Sequence, residues 1–269
     1  MLKNALLSLA LVAPAFALPA PQGITISDTI KQKPIQMCGV AQNVVLTDTP
    51  WIVYNMHYNK ALTKGSMCTG YESVSTGANG LKKIKWNAVT DIEYVKATDN
   101  VPKGYTFVGL TQNLSTKLSA IKSIPASYTW TRTNTTAYKG NIALDFMIAP
   151  TAGDSTSSKA QELMLWLEYT GGQLPIGWVA GPKATISLYG TTWKLYQGVN
   201  TDTGITVSSL LPDVMFKGAW EGDVKEWLMA LVKVGVFGQD VYVNVGNAGT
   251  EPFYGKARVE AEVALEIKL

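Results

Sequence analysis

Twenty of the 269 residues are carboxylates, two are cysteines and one is a histidine. That balance narrows the chemistry. A Ser-His-Asp or Cys-His nucleophile needs an imidazole with partners, and no partner motif accompanies His57, which reads as a structural or surface residue. A four-ligand zinc site needs more than Cys38, Cys68 and His57 supply. No metal and no cofactor is expected. Glycoside hydrolysis is the common hydrolytic reaction that carboxylates perform alone, one as nucleophile or base and the other as general acid. It needs a pair whose surroundings push their pKa values apart.

Three carboxylates stand in suitable settings. The first is Glu162, in residues 160–169. With a period of two, Gln161, Leu163, Leu165, Leu167 and Tyr169 share one face, and Ala160, Glu162, Met164, Trp166 and Glu168 the other. Side chains alternate across a strand, so this is a strand with an apolar back and an acid-plus-aromatic front. Glu168 lies about 20 Å along such a strand at 3.3–3.4 Å per residue, too far to share a reacting centre, and is assigned to the surface. The second is Glu251, in Gly249-Thr250-Glu251-Pro252-Phe253. Proline after it favours an extended or turn conformation, and a partly apolar site would raise its pKa by desolvation, as a general acid requires. The third is Asp145, two residues from Met147 on the non-core face of 141–148, where a nearby carboxyl could share a proton with a nucleophile and titrate with it as a unit.

The elements that must hold these groups are mostly strands. Ile142, Leu144, Phe146 and Ile148 form one apolar face. Ala257, Val259, Ala261, Val263, Leu265, Ile267 and Leu269 form another, opposite Arg258, Glu260, Glu262, Glu266 and Lys268, which predicts a long half-exposed antiparallel strand. Further strands are predicted over 51–58, 84–90, 128–132, 184–188, 192–196, 204–210 and 240–245. One segment, 223–234, has Val224, Trp227, Leu228, Leu231 and Val232 at helical spacing, and reads as one amphipathic helix packed on the outside of the sheets. Evenly spaced strands with a single helix and no linker predict an all-β protein, a two-sheet antiparallel sandwich or jelly roll.

Residues 1–17 read as a secretory signal peptide, with Lys3, an apolar run over 5–12 and Ala15-Phe16-Ala17 at the cleavage site. Residues 18–36 lack periodicity and read as an N-terminal arm leading to a single domain over 37–269. In a secreted chain, Cys38 and Cys68 read as one disulfide. Asn113-Leu114-Ser115 and Asn134-Thr135-Thr136 are glycosylation sequons. The formal net charge is +3, or +2 without Lys3, too weak to argue for nucleic acid or membrane as partner. A monomer is expected.

Taken together, the segments resemble glycoside hydrolase family 12. The resemblance rests on Ala143-Leu144-Asp145-Phe146, Glu162-Leu163-Met164-Leu165-Trp166-Leu167, Pro175-Ile176-Gly177, Trp193-Lys194-Leu195-Tyr196 and Gly249-Thr250-Glu251-Pro252-Phe253, in order and spacing, and runs from about Cys38 to the C-terminus. It implies a two-sheet β-jelly roll with a concave cleft for a β-glucan. Glu162 matches the family's nucleophile, Glu251 its acid/base and Asp145 the aspartate that assists the nucleophile. Trp166 and Met164 match cleft residues, and Cys38 and Cys68 the N-terminal disulfide. The stretch 51–59 lines the glycone side in relatives and supplies Trp51, Asn55 and Tyr58 as sugar contacts. It departs from the family pattern: Met56 replaces a second asparagine, Tyr58 a stacking tryptophan, and Met67 a glutamine.

The resemblance thus implies a secreted retaining endo-β-1,4-glucanase acting on cellulose-type, mixed-linkage or xyloglucan polymers. A xyloglucan-specific enzyme is the alternative within the class. Outside it stands a non-catalytic carbohydrate-binding or decoy protein, since jelly rolls serve lectins as well as enzymes.

Overall fold

The structure is a computed structural model that describes residues 34–269 and the backbone of 24–26. The leader expected at 1–17 lies outside the described residues. Numbered in chain order, the strands of sheet A lie side by side as β1 (Ile24–Ile26), β3 (Ala41–Leu46), β4 (Trp51–Met56), β7 (Tyr105–Leu110), β16 (Tyr242–Thr250), β10 (Lys139–Ala149), β11 (Gln161–Thr170), β14 (Thr206–Pro212), β13 (Thr191–Val199) and β12 (Ala184–Leu188). Sheet B runs β2 (Ile35–Met37), β5 (Gly65–Thr76), β6 (Lys82–Ile92), β17 (Pro252–Leu265), β9 (Pro125–Asn134) and β15 (Ala219–Asp223). The short β8 (Thr116–Lys117) pairs with the start of β16. Pairing is antiparallel except for β1 with β3 and β11 with β14. This is the two-sheet β sandwich that strand spacing predicts. Within the span read as a loose arm, Ile24–Ile26 pairs with β3 and Ile35–Met37 with β5, so both sheets pin part of it.

Alternation decides what fills the core. Ile142, Leu144, Phe146 and Ile148 of β10 and Leu163, Leu165 and Leu167 of β11 meet Ile84, Trp86, Val259 and Val263 of sheet B, all buried in one cluster. The opposite parity of sheet A carries two separate clusters, Ala143, Met164, Trp166, Tyr196, Val207 and Leu211 in one, Tyr54, Tyr105 and Phe107 in the other. These side chains are buried on the face turned away from sheet B, which requires that sheet A curve around them. The helix, α1 (Val224–Lys233), is capped by Asp223, whose side chain accepts from the Lys225 N–H. Its stripe of Val224, Trp227, Leu228 and Leu231 enters the main core, with Trp227 edge-on to Phe146 at 5.8 Å. The helix therefore docks its apolar face on the core, as the amphipathic spacing predicts, and leaves Glu226 and Lys233 exposed.

One irregularity overturns an expectation. Between β10 and β11, Ile142 pairs with Glu168 but Ala143 with Trp166, leaving Leu167 as an extra residue. The bulge reverses the last turn of the alternation. Tyr169 swings to the Trp166 side (5.8 Å between ring centres). Glu168 turns toward sheet B, where it accepts from Trp130 Nε1 at 2.8 Å and Arg132 at 2.6 Å. It is a partly buried ion-pair member and not the surface residue expected.

Candidate active site

The three carboxylates come together on the outward, inward-curving face of sheet A. Asp145 of β10 stands opposite Met164, and Met147 opposite Glu162, on adjacent strands. On the other side of β10, Asp145 pairs with Asn247 and Ala143 with Gly249 of β16. Two residues beyond Gly249, in the same parity, comes Glu251. The turn expected around it is instead a one-residue break between β16 and β17; Pro252 and Tyr254 still pair with β10 of sheet A, and pairing with sheet B begins at Gly255. Gly249 permits this approach: a Cβ there would lie 2.4 Å from the Thr106 carbonyl oxygen and 2.6 Å from the Tyr105 ring.

Glu251 is clamped by one side chain. Its N–H donates to Asn141 Oδ1 at 3.0 Å, and Asn141 Nδ2 donates to its Oε2 at 2.7 Å. Because a backbone N–H can only donate, it orients the amide and aims the NH2 at the carboxylate. The Tyr58 hydroxyl donates to Oε1 at 3.2 Å. Burial pushes the Glu251 pKa up to about 6, with these two hydrogen bonds pulling it down. Burial first, and then the charge of Glu251, push Glu162 up to about 7. Asp145 is raised well above the carboxylate range by burial, then by Glu162 and Glu251, and its buried Oδ1 has no hydrogen-bond partner. Such a carboxyl is held protonated. The group can pass through a state with one of the glutamates charged and the other neutral, which a displacement with acid assistance needs.

The sugar contacts expected around this centre divide. Met164 and Trp166 lie on the right face, but both are buried, Trp166 beneath Tyr169 in the cluster with Tyr196. Trp166 is thus a covered floor. Tyr58 is 40 % exposed while its hydroxyl reaches Glu251. Trp51 and Asn55 are corrected. Trp51 is fully buried in the main core, and Asn55 spends its side chain on Gly39 O (2.8 Å), Met67 O (3.2 Å) and Thr69 Oγ1 (3.1 Å). Both have the parity of Val53, the core face; Tyr58 lies in the turn beyond the strand. That parity is legible in the sequence, and so was the place of Asn141, which shares the face of Asp145. His57, also on the inner side, is buried against Thr63 Oγ1 at 2.9 Å, and burial with the Lys60 charge lowers its pKa to about 4. Cys38 and Cys68 form the disulfide that joins the end of β2 to its neighbour β5. The sequon asparagines lie in other places: Asn113 donates to Ile267 O at 2.8 Å, and Asn134 ends β9. Among the described residues, no group of three or more His, Cys, Asp or Glu side chains could hold a metal ion.

A curved β-sandwich face on which three carboxyls of raised proton affinity converge over an aromatic floor suits the chemistry of the carboxylate-driven glycoside hydrolases. The sequence matches the glycosyl hydrolase family 12 description over residues 49–265, and the chain belongs to that family; by class it is a glucan-cleaving hydrolase of the endoglucanase type. It is 32 % identical to the xyloglucan-specific endo-beta-1,4-glucanase A of Aspergillus aculeatus over 254 residues, 94 % of each chain. It is also 29 % identical over 206 residues to a protein of Phytophthora nicotianae named inactive glycoside hydrolase XLP1, covering 76 % of this chain and 80 % of that one. Among solved structures, the family 12 endoglucanase 3 of Trichoderma harzianum shares the fold with a TM-score of 0.75 at 23 % identity, over 88 % of this chain and 98 % of that one.

Proposed function

We propose that the protein is a secreted, retaining endo-β-1,4-glucanase in which Glu162 is the nucleophile, Glu251 the acid/base and Asp145 a proton-holding neighbour of the nucleophile. The observation that carries this reading is that Asp145, Glu162 and Glu251 converge on neighbouring strands of one curved face, where each holds its proton more tightly than a free carboxyl. Glu162 attacks the anomeric carbon, and its carboxylate oxygen forms the glycosyl-enzyme bond as the C–O bond to the leaving sugar breaks. Glu251, neutral at that moment, gives its proton to the departing oxygen. It then takes a proton from water, whose oxygen displaces Glu162 and restores both carboxyls. Asn141 holds Glu251 throughout. Substrate lies across the strands, and xyloglucan is the polymer favoured by the name of the A. aculeatus relative. The disulfide favours an oxidising compartment, in keeping with a leader at 1–17. The fold is read as one catalytic domain over 37–269, acting as a monomer.

The test is release of reducing ends from xyloglucan, mixed-linkage glucan and carboxymethyl cellulose by the wild type and by Glu162→Gln. The wild type is expected to cleave at least one polymer, xyloglucan fastest. Glu162→Gln should lose at least 10³-fold in kcat, on the scale of losing an essential nucleophile. Residual turnover near wild type would remove Glu162 from its role. The non-catalytic reading has one observation on its side, the relative named as inactive; polymer binding by the wild type without any reducing ends would establish it here.

A further inference from the structure

Loop 171–181 has no part in the proposed chemistry, yet it carries an exposed run of apolar side chains: Leu174, Ile176 and Trp178 at 40, 38 and 42 % exposure, and Val179 fully exposed. Trp178, in the 3-10 turn Trp178–Ala180, stacks on Tyr196 of β13 with ring centres 5.0 Å apart and planes 29° apart. One indole face is thus spent on Tyr196 and the other is open. The loop can lie this close because of two glycines. A Cβ on Gly198 would meet Ile176 Cγ2 at 2.8 Å and Gly177 N at 3.0 Å. Gly177, at φ +88°, is 2.3 Å by the same measure from the Gln197 carbonyl oxygen.

The strand register places this pair on the catalytic face. Tyr196 pairs with Ser209, Ser209 with Met164, and Met164 with Asp145, in one row across the sheet. Gly198 pairs with Val207, and Val207 with Glu162, in the next row. Tyr196 also shares a buried cluster with Met164 and Trp166. The platform therefore stands two strands from Glu162, about 10 Å at the usual strand spacing. Tyr58 and Glu251 lie on the other side of the β10–β11 pair. Of the nearby cations, Lys194 is paired with Asp213 at 3.1 Å and Lys183 spends its amine on the Gln197 side chain. An open indole face suits a neutral ring. A β-1,4-linked pyranose offers such a ring: its hydroxyls are equatorial, and its two faces are lined with axial C–H groups.

We propose that Trp178, backed by Tyr196, is a sugar-stacking platform at the β13 end of the cleft, on the side of Glu162 away from Tyr58, taking one pyranose of a neutral β-1,4-glucan chain. This rests on the reading that Glu162 and Glu251 cleave a glucan bound across the same face.

The experiment separates the two. Cellohexaose and a two-repeat xyloglucan oligosaccharide are titrated by calorimetry into Glu162→Gln protein, with and without Trp178→Ala, Trp178→Phe and Trp178→Leu. Trp178→Ala is expected to weaken Kd roughly tenfold for at least one probe, about 1.4 kcal/mol. Trp178→Phe should keep most of the affinity. Trp178→Leu, which preserves bulk over Tyr196 without a flat ring, should lose it, and it gives the answer if the alanine variant fails to fold by thermal melt. In parallel, cellohexaose digested by the otherwise wild-type Trp178→Ala protein should shift its fragment pattern, the bound chain sliding away from the lost subsite. Affinities within twofold of the parent in both Ala and Leu variants, or no binding of either probe to the parent, overturn the platform. If the wild type binds these sugars but cuts no polymer, the catalytic reading fails, while the effect of Trp178 on Kd still decides the platform.

Discussion

At the scale of single residues, the site depends on which proton sits where. Across roughly pH 6 to 7 the two glutamates, raised to about 6 for Glu251 and about 7 for Glu162, hold one proton between them; taken singly these values favour the proton on Glu162, and the reacting state is the other tautomer, with Glu162 charged and Glu251 neutral. Below that window both are neutral and the nucleophile is lost. Above it both are charged and the acid is lost. The kcat/KM profile of the wild type should therefore be a bell with its maximum between about pH 6 and 7; a plateau reaching pH 9 would contradict the assignment. Tyr58 and Asn141 donate to the charged form of Glu251, so each lowers its pKa. Tyr58→Phe is expected to move one limb of the bell toward higher pH by roughly half a unit, with a several-fold cost in kcat/KM where the sugar loses its contact as well. Asn141→Ala should move it further, because its 2.7 Å bond is the shorter. An unchanged profile in both variants would show that neither bond reaches the acid/base in solution.

At the scale of elements, β11 supplies chemistry and structure by parity, and a single bulged residue divides the two. From Gln161 to Leu167, alternation by residue type reads correctly: leucines inward, Glu162, Met164 and Trp166 toward the cleft. Beyond Leu167 it fails, because no residue there marks an insertion and the apparent alternation continues through Glu168 and Tyr169. What sets the bulge is tertiary. Glu168 exchanges water for Trp130 Nε1 and the Arg132 guanidinium on the facing sheet, while Arg132 also reaches Thr170 at 2.9 Å and lies over the Tyr138 ring at 5.1 Å. Both side chains of the ion pair are less than a fifth exposed. Removing one partner from such a pair leaves the other charge poorly solvated. Arg132→Ala should cost about 2–3 kcal/mol in urea unfolding, and an effect below about 0.5 kcal/mol would deny the bulge this support.

At the scale of the whole molecule, the fold bears the cost of a site built from buried acids. A carboxyl whose folded pKa is raised above its unfolded value binds its proton more tightly in the folded state. The stability this confers is present below the unfolded value, near 4.5 for the glutamates, and is lost as pH rises through about 6 and 7 for them and through the raised range of Asp145. Asp145→Asn, neutral at every pH, should therefore raise Tm at pH 8 by on the order of 5 °C and impair turnover, with the gain in Tm vanishing near pH 4. A gain that is the same at pH 4 and pH 8 would place its origin elsewhere. The disulfide closes a 30-residue separation between the N-terminal strands. Replacing both cysteines by serine should cost roughly 3–4 kcal/mol, seen as a Tm lower by about 10 °C.

The residue types alone determined much of this protein. Scarcity of histidine and cysteine leaves carboxylate chemistry. Period-two patterns in 142–148, 161–167 and 257–265 define which faces are buried, because strand alternation is a local property of the backbone. Parity within 51–56 turns Trp51 and Asn55 inward for the same reason, while Tyr58 lies in the turn beyond the strand. Only the tertiary structure decided the rest. The join between β16 and β17 at Glu251, the clamp by Asn141 and the burial that raises three carboxyls all depend on strands distant in sequence lying side by side. So does the placing of Trp178 over Tyr196, since Gly177 and Gly198 show in the sequence as glycines but not as the contact between them. Pairing across a sheet is non-local, and the electrostatics of a site arise from that pairing.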